Sequence, residues 1–190
     1  MLPIVAYGFS ILRQVCTPVT PMYNDLNSLI QQMWQTLDHA DGVGLAAPQV
    51  NHGIRLFLVD SAKIYKSLSS HDENKYEDMP GIRKVFINPT ILNYSEVKTK
   101  EEEGCLSIPE IYIPIERSSS ITIEYLDEKF VTHTATYRGK TARIIQHEYD
   151  HIMGKLYLDY LSPLQKALLK NKLEKIRKGK IKAPYKLLYP

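Results

Sequence analysis

Residues 130–151 read FVTHTATYRGKTARIIQHEYDH, and the structural rhythm changes inside that stretch. Phe130 to Tyr137 alternates as a strand with one covered face does, whereas Gly139 to His151 reads as a helix that Gly154 is placed to stop. The helix carries His147-Glu148-Tyr149-Asp150-His151. Residues four apart on a helix lie one turn above each other, so the two imidazoles can share a cation while Glu148 turns toward water bound to it. That points to a metal-hydrolase centre. An H-E-x-x-H pattern also arises by chance in soluble helices, with both histidines solvated or hydrogen-bonded, so the rest of the chain has to decide.

Upstream lie strand-like stretches at Ile54–Asp60, Lys84–Asn88, Ile91–Val97, Ile111–Glu116 and Ser120–Leu126, with Asp127-Glu128 where a hairpin turn belongs. Between Asn24 and Gly42, Leu26, Leu29, Ile30, Met33, Trp34 and Leu37 recur at helical spacing; Asn24 or Asp25 can cap that helix and Gly42 can end it. Gly42 to Gln49 reads as a loop of small residues, and residues 61–83, polar and closed by Pro80-Gly81, as a mobile surface excursion. Downstream, Ser162-Pro163-Leu164-Gln165 has the form of a capping box, followed by Leu168, Leu173 and Ile176 and then Gly179, which makes a terminal helix. Residues 181–190 read as an extended end. Helix, many strands, helix, helix is an α+β order: antiparallel or mixed sheets around a central metal-binding helix, with an N-terminal amphipathic helix and a C-terminal one. We expect a catalytic domain over residues 1–162, with the basic helix and tail of residues 163–190 as part of it.

At 190 residues with 44% hydrophobic content, one soluble domain with a real core is expected. No run approaches the roughly 18 apolar residues of a membrane span, and Met1 to Ser10 lacks the marks of a secretory signal. Cys16 and Cys105 are too few for a disulfide framework, which favours a reducing, cytoplasmic setting. The net charge of +3 conceals an asymmetry, since residues 166–186 hold nine Lys or Arg against one Glu and leave the remainder acidic.

Two histidines leave such a metal one protein ligand short of the three that a catalytic site generally uses. Cys105, in Glu103-Gly104-Cys105-Leu106-Ser107, is the best candidate, with Gly104 allowing close backbone approach; an isolated cysteine is otherwise commonly just a small buried hydrophobe. Gly42-Val43-Gly44-Leu45-Ala46-Ala47-Pro48-Gln49 is either a turn or a peptide-binding edge, where Gly44 lets an extended chain pair with the backbone as an added strand. Ile144, one turn before His147, is either core or the wall of an apolar pocket.

Gly42 to Gln49, Glu103 to Ser107 and Gln146 to His151 occur together and in this order, and each closely resembles one of the three signature motifs of the peptide deformylase family; Ile152 stands where leucine is more usual. The resemblance implies Cys105, His147 and His151 as metal ligands, Glu148 as general acid and base, and Gln49 with the Leu106 backbone N–H as the oxyanion site. Val43, Gly44, Gly104 and Ile144 would then meet the substrate. The reaction implied is removal of the N-formyl group from the formylmethionine of nascent proteins, with metal-bound hydroxide as nucleophile. One sulfur and two imidazoles suit Zn2+ and also accommodate Fe2+; the resemblance implies Fe2+ in the cell, with Zn2+, Ni2+ or Co2+ as substitutes.

Formylmethionine implies a bacterial cytoplasm here, since no transit peptide is evident. Lys166, Lys170, Lys172, Lys175, Arg177, Lys178 and Lys180 crowd one helix and its exit, which is either a solvated face or a contact to ribosomal RNA. Neither membrane nor DNA is expected as a partner. Two other readings remain on residue grounds: a general H-E-x-x-H metallopeptidase, disfavoured by an upstream cysteine as third ligand, and a structural zinc module binding nucleic acid, which lacks a fourth ligand. Glu103 and Arg117 can pair to brace the Cys105 strand and Asp150 can orient a neighbour of the helix, or each is an ordinary surface charge.

Overall fold

The computed structural model describes residues 1–66 and 80–190. Most of the expected 61–83 excursion therefore lies outside the described residues. Its two ends are fastened: buried Ser61 shares a hydrogen bond with Thr141 (2.7 Å) and accepts one from the Ile82 N–H (2.9 Å).

The elements are β1 (Ile4–Val5), α1 (Leu26–His39), β2 (Gly44–Ala46), β3 (Leu56–Asp60), α2 (Ala62–Tyr65), β4 (Arg83–Tyr94), β5 (Lys98–Cys105), β6 (Ile108–Ser118), β7 (Ser120–Leu126), β8 (Thr132–Arg138), α3 (Gly139–Ile152), α4 (Pro163–Arg177) and β9 (Leu187–Leu188). Five strands form an antiparallel sheet in the order β2-β3-β4-β7-β8; β5 pairs with β6, and β1 pairs in parallel with β9. The α+β architecture of sheets around a central helix is as the sequence implies.

β3 shows how the sheet is held. All five residues are buried, and period-two alternation sends Leu56 and Leu58 into a core with Leu29, Ile30, Met33 and Leu37 of α1, and Phe57 and Val59 into a second core with Ala142, Ile145 and Ile152 of α3. Each such side chain contributes about 1.5–3 kcal/mol by burial. Helices thus cover both faces of the sheet, and α3 is clamped with one side on apolar residues and the other toward β5 and β6. A third core gathers Ile108, Ile111, Ile113 and Ile115 of β6 with Leu173 and Ile176 of α4.

Several local expectations change. Gly42–Gln49 is only in part a loop, because Gly44–Ala46 is the edge strand of the sheet and Ala47–Val50 a 3-10 turn. The two stretches 84–88 and 91–97 are largely one long strand, β4; its register slips around Pro89, whose missing N–H interrupts the ladder. β5 carries Lys98-Thr99-Lys100-Glu101-Glu102-Glu103 and has no apolar alternation to announce it; pairing with β6 makes it a strand. Asp25 precedes α1 in a left-handed conformation (φ 59°) and makes no side-chain cap.

At the other end, the Ser162 capping box is formed, with the Gln165 N–H donating to Ser162 Oγ (3.3 Å) and the Ser162 N–H to Gln165 Oε1 (2.9 Å). The covered face of α4 runs through Leu169, Leu173 and Ile176, at i, i+4 and i+7; Leu168 lies off that face and is 76% exposed. α3 ends as expected, with Gly154 at φ 69° just beyond Met153.

Candidate metal centre

His147, Glu148 and His151 project from the second half of α3, and Cys105 closes β5 where the chain turns into β6. The fold brings them together: Cys105 Sγ and His151 Nε2 are 3.3 Å apart, and donor atoms of Cys105, His147 and His151 all lie within 4.8 Å of one another. Metal–nitrogen bonds of about 2.0–2.1 Å and metal–sulfur bonds of about 2.3 Å set tetrahedral donors roughly 3.5 Å apart, so the set can close on one ion with small adjustments. Among the described residues this is the one group of three or more such donors with that spacing.

A second observation supports the fit. His147 Nδ1 donates to Glu103 Oε2 (3.0 Å), and since an ionised carboxylate only accepts, the tautomer is fixed and the Nε2 lone pair is left for a metal. Burial pulls the His147 pKa down, but Cys105 and Glu103 beside it carry it up to about 10, so a proton competes with a metal at this ring. His151 is held well below its ordinary value, by burial first and then by the His147 charge, which keeps it neutral and able to ligate.

Glu103 is itself the centre of a buried cluster. It accepts from Arg117 Nε (2.6 Å) and Nη2 (2.9 Å) and from Arg143 Nη1 (2.7 Å). Arg117 Nη1 also donates to Asp150 (2.8 Å), whose carboxylate accepts from the Tyr160 hydroxyl (2.9 Å). The Glu103–Arg117 pair is thus present as read, while the link from Arg117 to Asp150 was not anticipated. Arg143, which also donates to the Thr99 (2.7 Å) and Ile115 (2.9 Å) carbonyls, was missed; its place one turn before His147 was the available signal.

Glu148 is 3% exposed, and its Oε2 is buried without a hydrogen-bond partner. Burial pushes its carboxyl up to about 7, with His147 and Arg117 pulling the other way. The space a Gly44 side chain would fill is taken by this carboxylate, whose Cδ would lie 2.8 Å from an added Cβ. Gly44 therefore gives room to Glu148, a tighter requirement than the backbone access its sequence suggests. Gln49 is turned by the hydrogen bond that its Oε1 accepts from the Ala46 N–H (2.8 Å), and its Nε2 lies 3.5 Å from Cys105 Sγ and 3.4 Å from Ser107 Oγ.

These residues open on a cleft of about 810 Å³. Val43, Gly44, Gly104, Leu106 and Ile144 all line it, and Ile144 is also packed in the core with Phe57 and Ile145. The cleft also touches Tyr112 and, unexpectedly, Lys182 to Tyr185 of the carboxy-terminal segment. Cys16, His39, His52 and His133 are not part of the donor group.

The polypeptide deformylase family model matches residues 1–167. A peptide deformylase of Christiangramia forsetii is 46% identical over 190 residues, covering 100% of this chain and 96% of that protein. The crystal structure of a peptide deformylase from Legionella pneumophila is 32% identical with a TM-score of 0.79, over 95% of this chain and 97% of that one. That of Acinetobacter baumannii peptide deformylase with Met-Ala-Ser bound is 33% identical with a TM-score of 0.72, over 85% and 98%. With the family pattern matched across most of its length and a cysteine and two histidines converging beside Glu148, the chain belongs to the peptide deformylase family.

Proposed function

We propose that this chain hydrolyses the N-formyl group of nascent proteins that begin with formylmethionine, releasing formate and a free amino terminus. The observation that carries the reading is the convergence of an upstream cysteine, Cys105, on the His147–His151 pair with Glu148 facing the same cleft. Cys105, His147 and His151 would hold one divalent metal, which when bound polarises a carbonyl and lowers the pKa of water toward about 7. Glu148 accepts a proton from the attacking water and delivers it to the departing amine, a role suited to a buried carboxyl pushed up to about 7. Gln49 Nε2 and the Leu106 N–H donate to the formyl oxygen as it gains negative charge; losing one such donor costs on the order of 3 kcal/mol.

Gly44 on edge strand β2 and Val43 just before it, with Gly104 across the cleft, contact the peptide backbone, and Ile144 borders the methionine side chain. Backbone pairing on a strand edge recognises a main chain without reading most side chains, which suits an enzyme that meets many nascent proteins. The Met-Ala-Ser held by the Acinetobacter baumannii relative is a ligand of this kind.

Comparing formylated with unformylated Met peptides tests the reading. Hydrolysis of the formamide alone is expected; cleavage of internal peptide bonds would favour a metallopeptidase, and metal with neither activity a structural zinc module. Glu148→Ala should retain metal and lose about 10²–10⁴-fold in kcat, while Cys105→Ala should lose metal. Full activity in either variant would overturn the role assigned to it.

Fe2+ is the proposed ion in the cell, with Zn2+, Ni2+ or Co2+ as substitutes. Activity should then decay in air as iron or the Cys105 sulfur oxidises, and equal, stable rates from aerobic and anaerobic preparations would count against iron. The setting proposed is a bacterial cytoplasm; among the described residues no helix is long and apolar enough to cross a membrane. Residues 163–190 are proposed to share the domain of residues 1–162, which the packing of Leu173 and Ile176 on Ile108 and Leu156 supports. The cationic face of α4 is proposed to contact ribosomal RNA; salt-sensitive ribosome binding that survives neutralisation of Lys170, Lys175 and Lys178 would refute this.

A further inference from the structure

The turn between β5 and β6 has to present a sulfur and a backbone N–H in fixed directions, yet the ladder slips in register between Glu103 and Cys105 and resumes only at the Cys105–Ile108 pair that closes the turn. Its polar groups are gripped from elsewhere. The Tyr185 hydroxyl donates to the Leu106 carbonyl (2.9 Å), and the Tyr7 N–H donates to the Ser107 carbonyl (2.8 Å). Gln49 Nε2 lies 3.4 Å from Ser107 Oγ.

Two of these three contacts come from the chain termini, and the termini form one unit. β1 and β9 pair in parallel, Ile4 opposite Leu187 and Val5 opposite Leu188, and the Ala6 N–H donates to the Leu188 carbonyl (2.8 Å). From Ile181 to Pro190 burial alternates residue by residue: Ile181, Ala183, Tyr185, Leu187 and Tyr189 are covered or partly covered, and the lysines between them are exposed. Only Leu187–Leu188 of this segment is a strand, and the Lys182–Tyr185 stretch before it forms part of the cleft wall.

We infer that Tyr185 is a positioning residue for the active turn: its hydroxyl fixes the Leu106–Ser107 peptide and thereby the direction of the neighbouring Leu106 N–H and Cys105 sulfur. The inference rests on the roles proposed for Cys105 and Leu106. Tyr189 supplies the control. Its hydroxyl makes a bond of the same length, 2.9 Å, to the Ile181 carbonyl on the same segment and not to a carbonyl of the turn.

The test uses the full chain carrying Tyr185→Phe or Tyr189→Phe. Tyr185→Phe should lower kcat about five- to tenfold, with KM within about twofold of wild type, while amide exchange in residues 105–108 of the metal-free protein speeds up about fivefold. Tyr189→Phe should change neither. Wild-type kcat and exchange in Tyr185→Phe would overturn the inference, as would equal loss of kcat in both variants alongside an equal fall in Tm. Were the wild-type chain to release no formate, the proposed function would fail instead, and exchange at residues 105–108 would still decide the role of Tyr185.

Discussion

Glu103 and Glu174 are both held at about 2, far below the usual carboxylate range, yet the two sites differ in kind. Glu103 is 6% exposed; burial pushes it up most, and the hydrogen bonds from His147 and Arg117 overcome that. Glu174 lies partly exposed on α4, its side chain 40% open, where Arg177 (2.7 Å) and Lys178 (3.2 Å) reach it and little desolvation opposes them. Water can replace the partners of Glu174 at small cost. It cannot replace those of Glu103, because removing that carboxylate leaves Arg117 and Arg143 charged inside the protein. Equal acidity therefore carries unequal consequence, and the buried cluster is the one that sets the His147 ring against Cys105.

The largest effect that can break this contrast is expected from Glu103→Gln. Unfolding free energy in urea should fall by about 3–5 kcal/mol, because two buried guanidinium groups lose the carboxylate they share, leaving Arg117 with Asp150 alone and Arg143 with Glu101 at 3.9 Å. Metal affinity, read by chelator competition, should fall about 10–100-fold as the acceptor that orients His147 loses its charge. A loss under about 1 kcal/mol would mean that the cluster is solvated and that the contrast with Glu174 is empty. Arg143→Met comes next, at about 2 kcal/mol, because Glu103 keeps Arg117 while the Thr99 and Ile115 carbonyls each lose a donor. Urea unfolding of the two single variants and the double variant measures their coupling, and simple additivity would show that Glu103 and Arg143 do not act as one cluster.

The same contrast explains what could be read from sequence. The pairing of His147 with His151 follows from helix period alone, as does that of Glu174 with Lys178, since each partner sits one turn away on its own element. Cys105 was reachable because its flanking residues form a motif. Arg143 lies one turn before His147, which marks its face of the helix, but its partner Glu103 is on another element, and no period within α3 identifies that partner. Tyr185 is further removed: its contact with Leu106 exists only because β9 joins β1 in parallel, a pairing of two-residue strands that leaves almost no pattern. The alternation of covered residues through Ile181 to Tyr189 was the local signal, partly masked by Pro184. Gly44 was recognised as a place where a side chain is excluded, but the occupant, Glu148, comes from across the fold. Local chemistry shows what a residue can do; long-range register decides which partner receives it.

Acid titration sharpens the comparison at intermediate size. The Glu103 pKa is lowered on folding from 4.5 to about 2, so its contribution to stability is complete above about pH 4.5 and is lost as pH falls toward 2. Urea midpoints at pH 5 and pH 3 should therefore fall more steeply in the wild type than in Glu103→Gln, which lacks this carboxyl. Parallel slopes in the two proteins would show that Glu103 is no more acidic in the folded state than in the unfolded chain.

The smallest effect belongs to Glu174→Gln, and its smallness is the decisive half of the comparison. An exposed carboxylate gains little from its neighbours once salt screens them, and the side chains that hold it pay in lost freedom. The urea midpoint at physiological salt should match the wild type within error, despite a pKa lowered as far as that of Glu103. In low salt a slight loss should emerge and then vanish on adding salt, whereas the deficit of Glu103→Gln should persist under both conditions. A salt-independent loss in Glu174→Gln would place that carboxylate in a desolvated contact and erase the distinction between the two sites.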